Sequence, residues 1–137
     1  MDVIVVIGRI LLAALFLGSA FGHLTQTQGM AGYAQAKGVP SARVAVLVSG
    51  VLILLGAVMV LLGIWPDLGA LFLFVFLVPT AILMHGFWKE TDPQARQMEM
   101  IQFNKDMALA GAALLAFALF ATGDPGPTIT GPLFDLS

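Results

Sequence analysis

The sequence predicts an all-α integral membrane protein, a four-helix bundle with a short interfacial helix between spans 1 and 2. Of its 137 residues, 59% are hydrophobic and only 10% are charged, and the mean hydropathy is +0.97. A chain of this composition has too little polar surface to cover a soluble globule. Four apolar runs set the number of spans, because a helix needs about 20 residues to cross a bilayer core.

The four runs define one domain, residues 1–137. We expect spans at about 3–24, 44–64, 68–88 and 101–122, followed by an extended tail at 123–137. The last apolar run is short, but Asp92-Pro93 provides an earlier helix start, with Asp as the N-cap and Pro at the first helical position. We therefore expect one helix from there through Thr122, with its first turns outside the hydrocarbon. The Gly and Pro residues from Gly123 onward argue against a helix in the tail.

Small residues indicate how the spans pack. Gly18 and Gly22 form a G-x-x-x-G step on span 1, and Ala108, Ala112 and Ala116 form a ridge on span 4. Such surfaces allow close backbone approach, so we expect spans 1 and 4 to pack together. The alternative is that small residues are simply abundant in this chain.

Charge distribution predicts the orientation. Residues 29–40 predict the interfacial helix, which ends at Gly38. The two loops on one side, with their flanks, carry most of the basic residues: Lys37, Arg43, Lys89, Arg96 and Lys105. The positive-inside rule places that side in the cytoplasm and both termini outside it, in a bacterial inner (plasma) membrane. With Asp2 in place of a basic n-region, we do not expect the N-terminus to be a signal peptide.

Polar residues converge on the predicted cytoplasmic face. His23 ends span 1, His85 ends span 3, and Lys105 with Asp106 opens span 4. Ionisable groups at this depth are costly and therefore mark candidate sites. Histidine donates to carbonyl oxygens, Lys supplies charge and Asp exchanges protons. We expect Trp88 and Phe103 to form aromatic walls of the same ligand site. A kink in span 3 at Pro79 would make space for the ligand.

Each of these residues also has a purely structural interpretation. Lys105 would snorkel to the interface, and Trp88 and Phe103 would anchor the aromatic belt. His23 and His85 would be satisfied by backbone carbonyls. Without carboxylates at metal-ligand spacing, two histidines do not predict a metal site. Ligation of haem by both histidines stays open, but no feature selects it.

Arg9 lies about two turns inside span 1 from the opposite face. We expect it to point into the bundle as a buried charge, where it pairs with an acid or with backbone carbonyls. Asp67 and Asp124 are the nearest acids by predicted depth. The alternative is snorkelling to the interface.

Composition excludes several kinds of chemistry. A net charge of −2 with six Lys and Arg residues offers no basic face for nucleic acid. The absence of cysteine excludes disulfides, thiolate catalysis and Cys-ligated metals. We therefore expect no cofactor within the chain itself, so that a redox role would use a bound quinone or lipid, or a partner subunit. The expected partners are membrane lipids and other membrane-protein subunits.

A set of motifs spread over the chain resembles the DoxX family. The motifs are Gly8-Arg9-Ile10-Leu11-Leu12, Phe16-Leu17-Gly18-Ser19, Tyr33 with Gly38-Val39-Pro40, Gly56, Met84-His85-Gly86-Phe87-Trp88, Asp92-Pro93, and Phe103-Asn104-Lys105-Asp106-Met107-Ala108-Leu109. The resemblance extends from about Val3 to Ala121. It implies a compact four-helix membrane bundle and a link to membrane oxidoreductase assemblies, including a subunit of thiosulfate:quinone oxidoreductase.

The chain departs from that family pattern at three positions. His23 stands where the family commonly has Lys, Ser49 where many members have Glu, and Asp106 where Asn usually follows the Lys. The added negative charge of Asp106 argues against an acidic substrate. The missing carboxylate at Ser49 weakens a proton-relay interpretation.

Two functional hypotheses follow. The first, slightly favoured, is an accessory or anchoring subunit of a larger redox or energy-converting membrane complex, without catalysis of its own. The second is a quinone-linked oxidoreductase component with its pocket at the cytoplasmic ends of spans 1, 3 and 4. A transporter ranks third, because four helices leave little room for a substrate path and no inverted repeat is evident.

Overall fold

The structure is a computed structural model that describes residues 1–137. Its helices are α1 (Asp2–Thr25), α2 (Thr27–Ala36), α3 (Ala42–Leu62), α4 (Pro66–Met84) and α5 (Pro93–Thr122), with a 3-10 turn at Phe87–Lys89. Four helices, α1, α3, α4 and α5, are long and apolar enough to cross a membrane. The short α2 lies between the first two of them. The predicted all-α membrane bundle with one short helix after span 1 is confirmed.

The membrane helices pack in chain order, α1 on α3, α3 on α4 and α4 on α5, and α2 packs on α3. Glycines allow the closest approach, between α3 and α4. A Cβ on Gly56 would lie 2.9 Å from the carbonyl oxygen of Gly69, and one on Gly69 would lie 2.7 Å from Cβ of Met59. Neither distance is compatible with a larger side chain, so this contact requires glycine at both positions.

The predicted packing of span 1 against span 4 is wrong. α1 and α5 make no extensive backbone contact, and a Cβ on Gly18 would meet no atom within 4 Å. Ala108 and Ala112 are exposed, whereas Ala110 and Ala113 face the core. The small residues behind the predicted contact, such as Gly18 and Ala108, therefore lie away from the helix interfaces. The glycines that set helix spacing lie on α3 and α4 instead.

The core runs along the centre of the bundle, with contributions from all four membrane helices. Its largest members are Phe16, Ile53, Val60, Leu73, Leu77 and Phe120. Many large apolar side chains point outward instead, and Leu115, for example, is 75% exposed. In water such a surface would be unstable, but in a bilayer it contacts lipid tails.

The connection from α4 to α5 contains a break in helical geometry. The third apolar span runs from Pro66 to Lys89, close to the predicted 68–88, but its α-helix ends at Met84 because His85 and Gly86 leave helical geometry before the 3-10 turn. The start of α5 is as predicted: the Asp92 carboxylate accepts a hydrogen bond from the amide of Ala95 at 2.9 Å. A single helix of 30 residues therefore carries polar positions from outside the hydrocarbon into the bundle.

The tail after Gly123 is extended and packs against the bundle. The amides of Ile129 and Thr130 donate to the carbonyl of Gly63, at 3.2 and 3.1 Å. The ring of Phe134 packs edge-on against Phe117, with 6.2 Å between centroids. These contacts hold the tail at the end of the bundle opposite α2. We call the two ends the α2 end and the tail end.

Candidate functional site

A cavity of about 550 Å³ opens at the α2 end, between all five helices. Its apolar wall includes Met30, Val46, Phe76, Leu83 and Met84, and its polar wall includes Ser19, His23, Gln26, Tyr33, Ser49, Thr80, His85, Lys105 and Asp106. Pro79 also lines the cavity, in α4 about one and a half turns before His85. The ends of α1 and α4 and the first half of α5 thus bring their polar groups to one space.

His23 is fixed on the α1 side of this cavity and is only 8% exposed. Its Nδ1 lies 2.7 Å from the carbonyl oxygen of Ser19. Because a carbonyl only accepts, Nδ1 must be the donor, and Nε2 of the neutral ring is then an acceptor. The ring packs edge-on against Phe76, at 5.7 Å between centroids. A Cβ on Gly50 would lie 2.7 Å from Cβ of His23, so glycine is needed where α3 passes this side chain.

His85 lies between two carboxylates of α5. Its Nδ1 is 2.7 Å from Oε2 of Glu99, a hydrogen bond in which the ring donates. Its Nε2 is 3.7 Å from Oδ2 of Asp106, too long for a hydrogen bond. The imidazole thus lies between Glu99, near the start of the helix, and Asp106 at the cavity wall.

Glu99 also ties α2 to α5. Its Oε1 accepts hydrogen bonds from the Tyr33 hydroxyl at 3.0 Å and from Lys37 Nζ at 3.1 Å. Lys37 pairs in addition with Glu90 at 3.2 Å. These three bonds close α2 over the cavity, since Tyr33 and its helix neighbours form part of the wall. One carboxylate therefore contacts both the cover of the cavity and the histidine inside it.

Their surroundings shift the pKa values of Tyr33 and Lys37, the two α2-end side chains that contact Glu99. Burial and the hydrogen bond to the Glu99 carboxylate both raise the pKa of Tyr33 above its usual 10.0. Burial acts to lower the pKa of Lys37, but its bonds to Glu99 and Glu90 outweigh burial, and the pKa lies above the usual 10.5. At neutral pH the hydroxyl is therefore protonated and the ammonium charged, the two states that hold α2 closed.

Asp106 is the buried charge of the cavity, only 6% exposed. No hydrogen-bond donor lies within bonding distance of its carboxylate; its neighbours are His85 Nε2 and Lys105 Nζ, each at 3.7 Å. The side chain of Lys105 is 49% exposed and donates to Gln102 Oε1 at 2.7 Å. Asp106 therefore points into the cavity with unused acceptor capacity, while Lys105 lies at the rim.

The aromatic residues predicted for the site lie elsewhere. Trp88 and Phe103 pack with Phe87 in a cluster of edge-on rings, 5.3 to 5.6 Å between centroids. The guanidinium of Arg96 lies 5.7 Å from the Phe87 ring. Of the six predicted ligand residues, His23, His85, Lys105 and Asp106 line the cavity, whereas Trp88 and Phe103 do not.

Arg9 is buried at the tail end, 4% exposed. Of the two kinds of partner predicted for it, an acid or backbone carbonyls, Arg9 has the carbonyls and does not pair with Asp67 or Asp124. Its Nε donates to the carbonyl of Val60 at 2.8 Å, and its terminal nitrogens donate to other main-chain carbonyls. Those acceptors are Leu61, Pro125 and Pro127. Main-chain carbonyls at the end of α3 and in the tail have no helical partner. They, rather than a carboxylate, accept the hydrogen bonds of Arg9.

The sequence argument did not select Glu99, Tyr33 and Lys37, although spacing offered a signal. Glu99 precedes Asp106 by seven residues, so both lie on one face of α5. Tyr33 and Lys37 are four residues apart and likewise share a face at the end of α2. Glu99 also supplies a carboxylate at this end of the bundle, where α3 carries Ser49. No group of three or more His, Asp or Glu side chains is arranged to hold a metal ion.

The model of the DoxX family matches residues 4–86, which include α1 to α4 and end just after His85. The match stops short of α5, so Glu99 and Asp106 lie beyond it. Searches of curated proteins and of solved structures returned no match.

Proposed function

The chain belongs to the DoxX family of membrane proteins, and from this premise we propose that its cavity binds the head group of a quinone-type lipid for a membrane redox assembly. The observation that carries the proposal is the convergence of His23, His85 and Asp106 on one cavity of about 550 Å³. That volume lies within the range of about 300–1,000 Å³ typical of small-molecule sites. A few polar groups on an otherwise apolar wall are also typical of such sites.

The chemistry of the wall suits an aromatic ring that carries oxygens. Phe76 and Leu83 provide apolar surface, and the histidines with Asp106 provide hydrogen-bonding groups. The cavity lies at the α2 end of four helices that are apolar enough to span a membrane, which is where the head group of a bilayer lipid would lie. Reduction of a quinone needs two electrons and two protons. In this proposal a separate redox protein supplies the electrons, and this chain binds and orients the head group.

The experiment is native mass spectrometry of the purified chain with a decyl-substituted benzoquinone as the probe. We expect retention of one probe molecule and its loss in His23→Ala and His85→Ala. Lys89→Ala is the matched control, because Lys89 is exposed at the same end and lies outside the cavity. Absence of retained probe in the unmodified, folded chain would overturn the proposal, as would equal retention in all three variants.

A second function, the accessory or anchoring subunit without its own catalysis, is favoured by the tail. The tail is held in place by main-chain hydrogen bonds, yet Ile129 and Leu136 are 67% and 60% exposed. An ordered segment with outward apolar side chains suits contact with another membrane subunit. Gentle extraction from the native membrane distinguishes the two functions. A stoichiometric complex that dissociates when residues 129–137 are deleted, without a ligand in this chain, would favour the accessory function.

We also propose that the α2 end faces the cytoplasm of a bacterial inner membrane, because the basic residues Lys37, Lys89 and Arg96 lie at that end. The chain has no cysteine, so single cysteines report orientation without background. In intact cells, a membrane-impermeant maleimide should label Ser137→Cys and spare Lys89→Cys. The reverse pattern would invert the orientation.

A further inference from the structure

We infer that the cavity binds the hydroxyl-bearing, reduced form of the head group in preference to the quinone. This inference rests on the proposed function and specifies its ligand. The argument is the direction of the hydrogen bonds in the wall. A quinone offers carbonyl oxygens, which only accept, whereas a quinol offers hydroxyls, which donate.

Both histidines donate their Nδ1 proton to an acceptor within the protein, so this proton is not available to a ligand in the cavity. His23 donates it to the carbonyl of Ser19 at 2.7 Å, and His85 donates it to the Glu99 carboxylate at 2.7 Å. In the neutral ring the other nitrogen, Nε2, carries a lone pair and no proton. Each neutral histidine therefore presents an acceptor.

The hydroxyl groups follow the same direction. Tyr33 donates its proton to Glu99 at 3.0 Å, and Ser49 donates to the carbonyl of Val46 at 3.0 Å. Only the oxygen lone pairs of these two residues remain for a ligand. The Ser19 and Thr80 hydroxyls and the Gln26 amide, also in the wall, are able to donate or accept. The Lys105 ammonium is a donor, but it lies at the rim and already donates to Gln102 Oε1 at 2.7 Å.

Asp106 is the strongest acceptor in the wall. Its side chain is 8% exposed, and no donor lies within hydrogen-bond distance of it. A carboxylate that faces a cavity without a protein donor gains a charge-assisted hydrogen bond from a ligand hydroxyl. A quinone carbonyl oxygen at the same place would repel the Asp106 carboxylate, because both groups only accept hydrogen bonds. Lys105, at 3.7 Å from Asp106, makes a second cation unfavourable, so a neutral hydroxyl fits better than an ammonium group.

The test measures affinity for both redox forms. Under anaerobic conditions, the full chain in lipid nanodiscs is titrated calorimetrically with the decyl-substituted benzoquinone and with its hydroquinone. We expect the hydroquinone to bind about tenfold more tightly or better, the range for one hydrogen bond to a charged group. Tenfold tighter binding of the reduced form would raise the midpoint potential of the bound couple by about 30 mV.

A redox-inactive pair gives a second measurement on the unmodified protein. In the methyl ether of 4-decylphenol a methyl group replaces the hydroxyl proton, so the ether accepts hydrogen bonds but donates none, and we expect the phenol to bind more tightly. In Asp106→Asn the amide adds a donor at the same position, so the preference for hydroquinone should fall to within about threefold. Lys89→Ala, outside the cavity, should keep the preference. Circular dichroism during heating checks that each variant is folded.

The two proposals fail in different ways. Equal affinity for both forms, or tighter binding of the benzoquinone, would overturn the donor preference and leave the quinone-site proposal standing. If neither form binds the folded protein, the proposed function fails and the donor preference fails with it. A preference that survives intact in a folded Asp106→Asn variant would also overturn the inference, since the carboxylate would not be its source.

Discussion

The two ends of the bundle each bury charge, but they satisfy it differently. At the tail end, Arg9 donates to four main-chain carbonyls, and Asp67 accepts from the amides of Leu133 and Phe134 at 2.8 and 2.6 Å. At the α2 end, Asp106 has no hydrogen bond and points into a cavity. A buried charge in a membrane protein is often taken to mark function. Here Arg9 and Asp67, whose polar atoms are hydrogen-bonded, hold the fold. Asp106, which has no hydrogen bond, marks the candidate site.

Removal of Arg9 should have the largest effect on stability. In Arg9→Leu the carbonyls of Val60 and Leu61, at the end of α3, lose their donor, as do two carbonyls of the tail. Hydrogen bonds to a charged group contribute about 1.5–3 kcal/mol each, so we expect a loss of at least about 3 kcal/mol. Reversible unfolding in mixed detergent micelles measures it. Arg43→Leu, at an exposed arginine of the other end, should change stability by less than about 0.5 kcal/mol. Similar losses in both variants would contradict the comparison.

Replacement of Asp106 should have little effect on stability and a large effect on ligand binding. Because no protein donor lies within hydrogen-bond distance of its carboxylate, Asp106→Leu should leave the unfolding free energy unchanged or raise it by about 1 kcal/mol. Binding of the hydroquinone probe should weaken by about tenfold or more. The same unfolding assay and the calorimetric titration provide both numbers. A large loss of stability in Asp106→Leu would show that this charge, like Arg9, holds the fold.

The Glu99 contacts test whether α2 is a separable cover. Glu99→Gln removes the negative charge from the acceptor that Tyr33, Lys37 and His85 share. We expect hydrogen exchange of α2 amides to accelerate about tenfold, with little change in α3. Glu90→Gln is the matched control, because Glu90 has one partner, Lys37, and it should give a smaller acceleration. Equal exchange rates in the two variants would argue against Glu99 as the main link.

The smallest expected effect is a shift in the titration of Tyr33, the only tyrosine of the chain. Burial and the Glu99 hydrogen bond raise its pKa in the folded protein. The protonated form thus stabilises the fold below the ordinary pKa of 10.0, and this contribution is lost as the pH rises through the higher folded pKa. Lys37, whose pKa is also raised, changes in the same direction. Ultraviolet absorbance of tyrosinate should therefore show a midpoint above 10 that falls toward 10 in Glu99→Gln. A midpoint at 10 in the unmodified protein would exclude the hydrogen bond.

The α2 end was partly accessible from the sequence. His23, His85, Lys105 and Asp106 were predicted to share one face of the membrane because each lies at the end of a span, and all four line the cavity. Trp88 was predicted from the same reasoning, yet it packs outside. Span order gives only the depth of a residue in the membrane. The direction of a side chain near a helix end depends on where the helix stops, and α4 stops at Met84.

The sequence by itself determined what local chemistry decides: four apolar spans, the short α2 and the Asp92 start of α5. Each of these depends on a run of residues that are adjacent in the chain, such as an apolar stretch long enough for a bilayer or an N-cap before a proline. Only the tertiary structure decided the pairings. Arg9 finds its partners up to 118 residues away, and Glu99 joins α2 to His85. Those contacts depend on which helix faces are adjacent, and that depends on glycines such as Gly56 and Gly69 whose effect appears only when two helices meet.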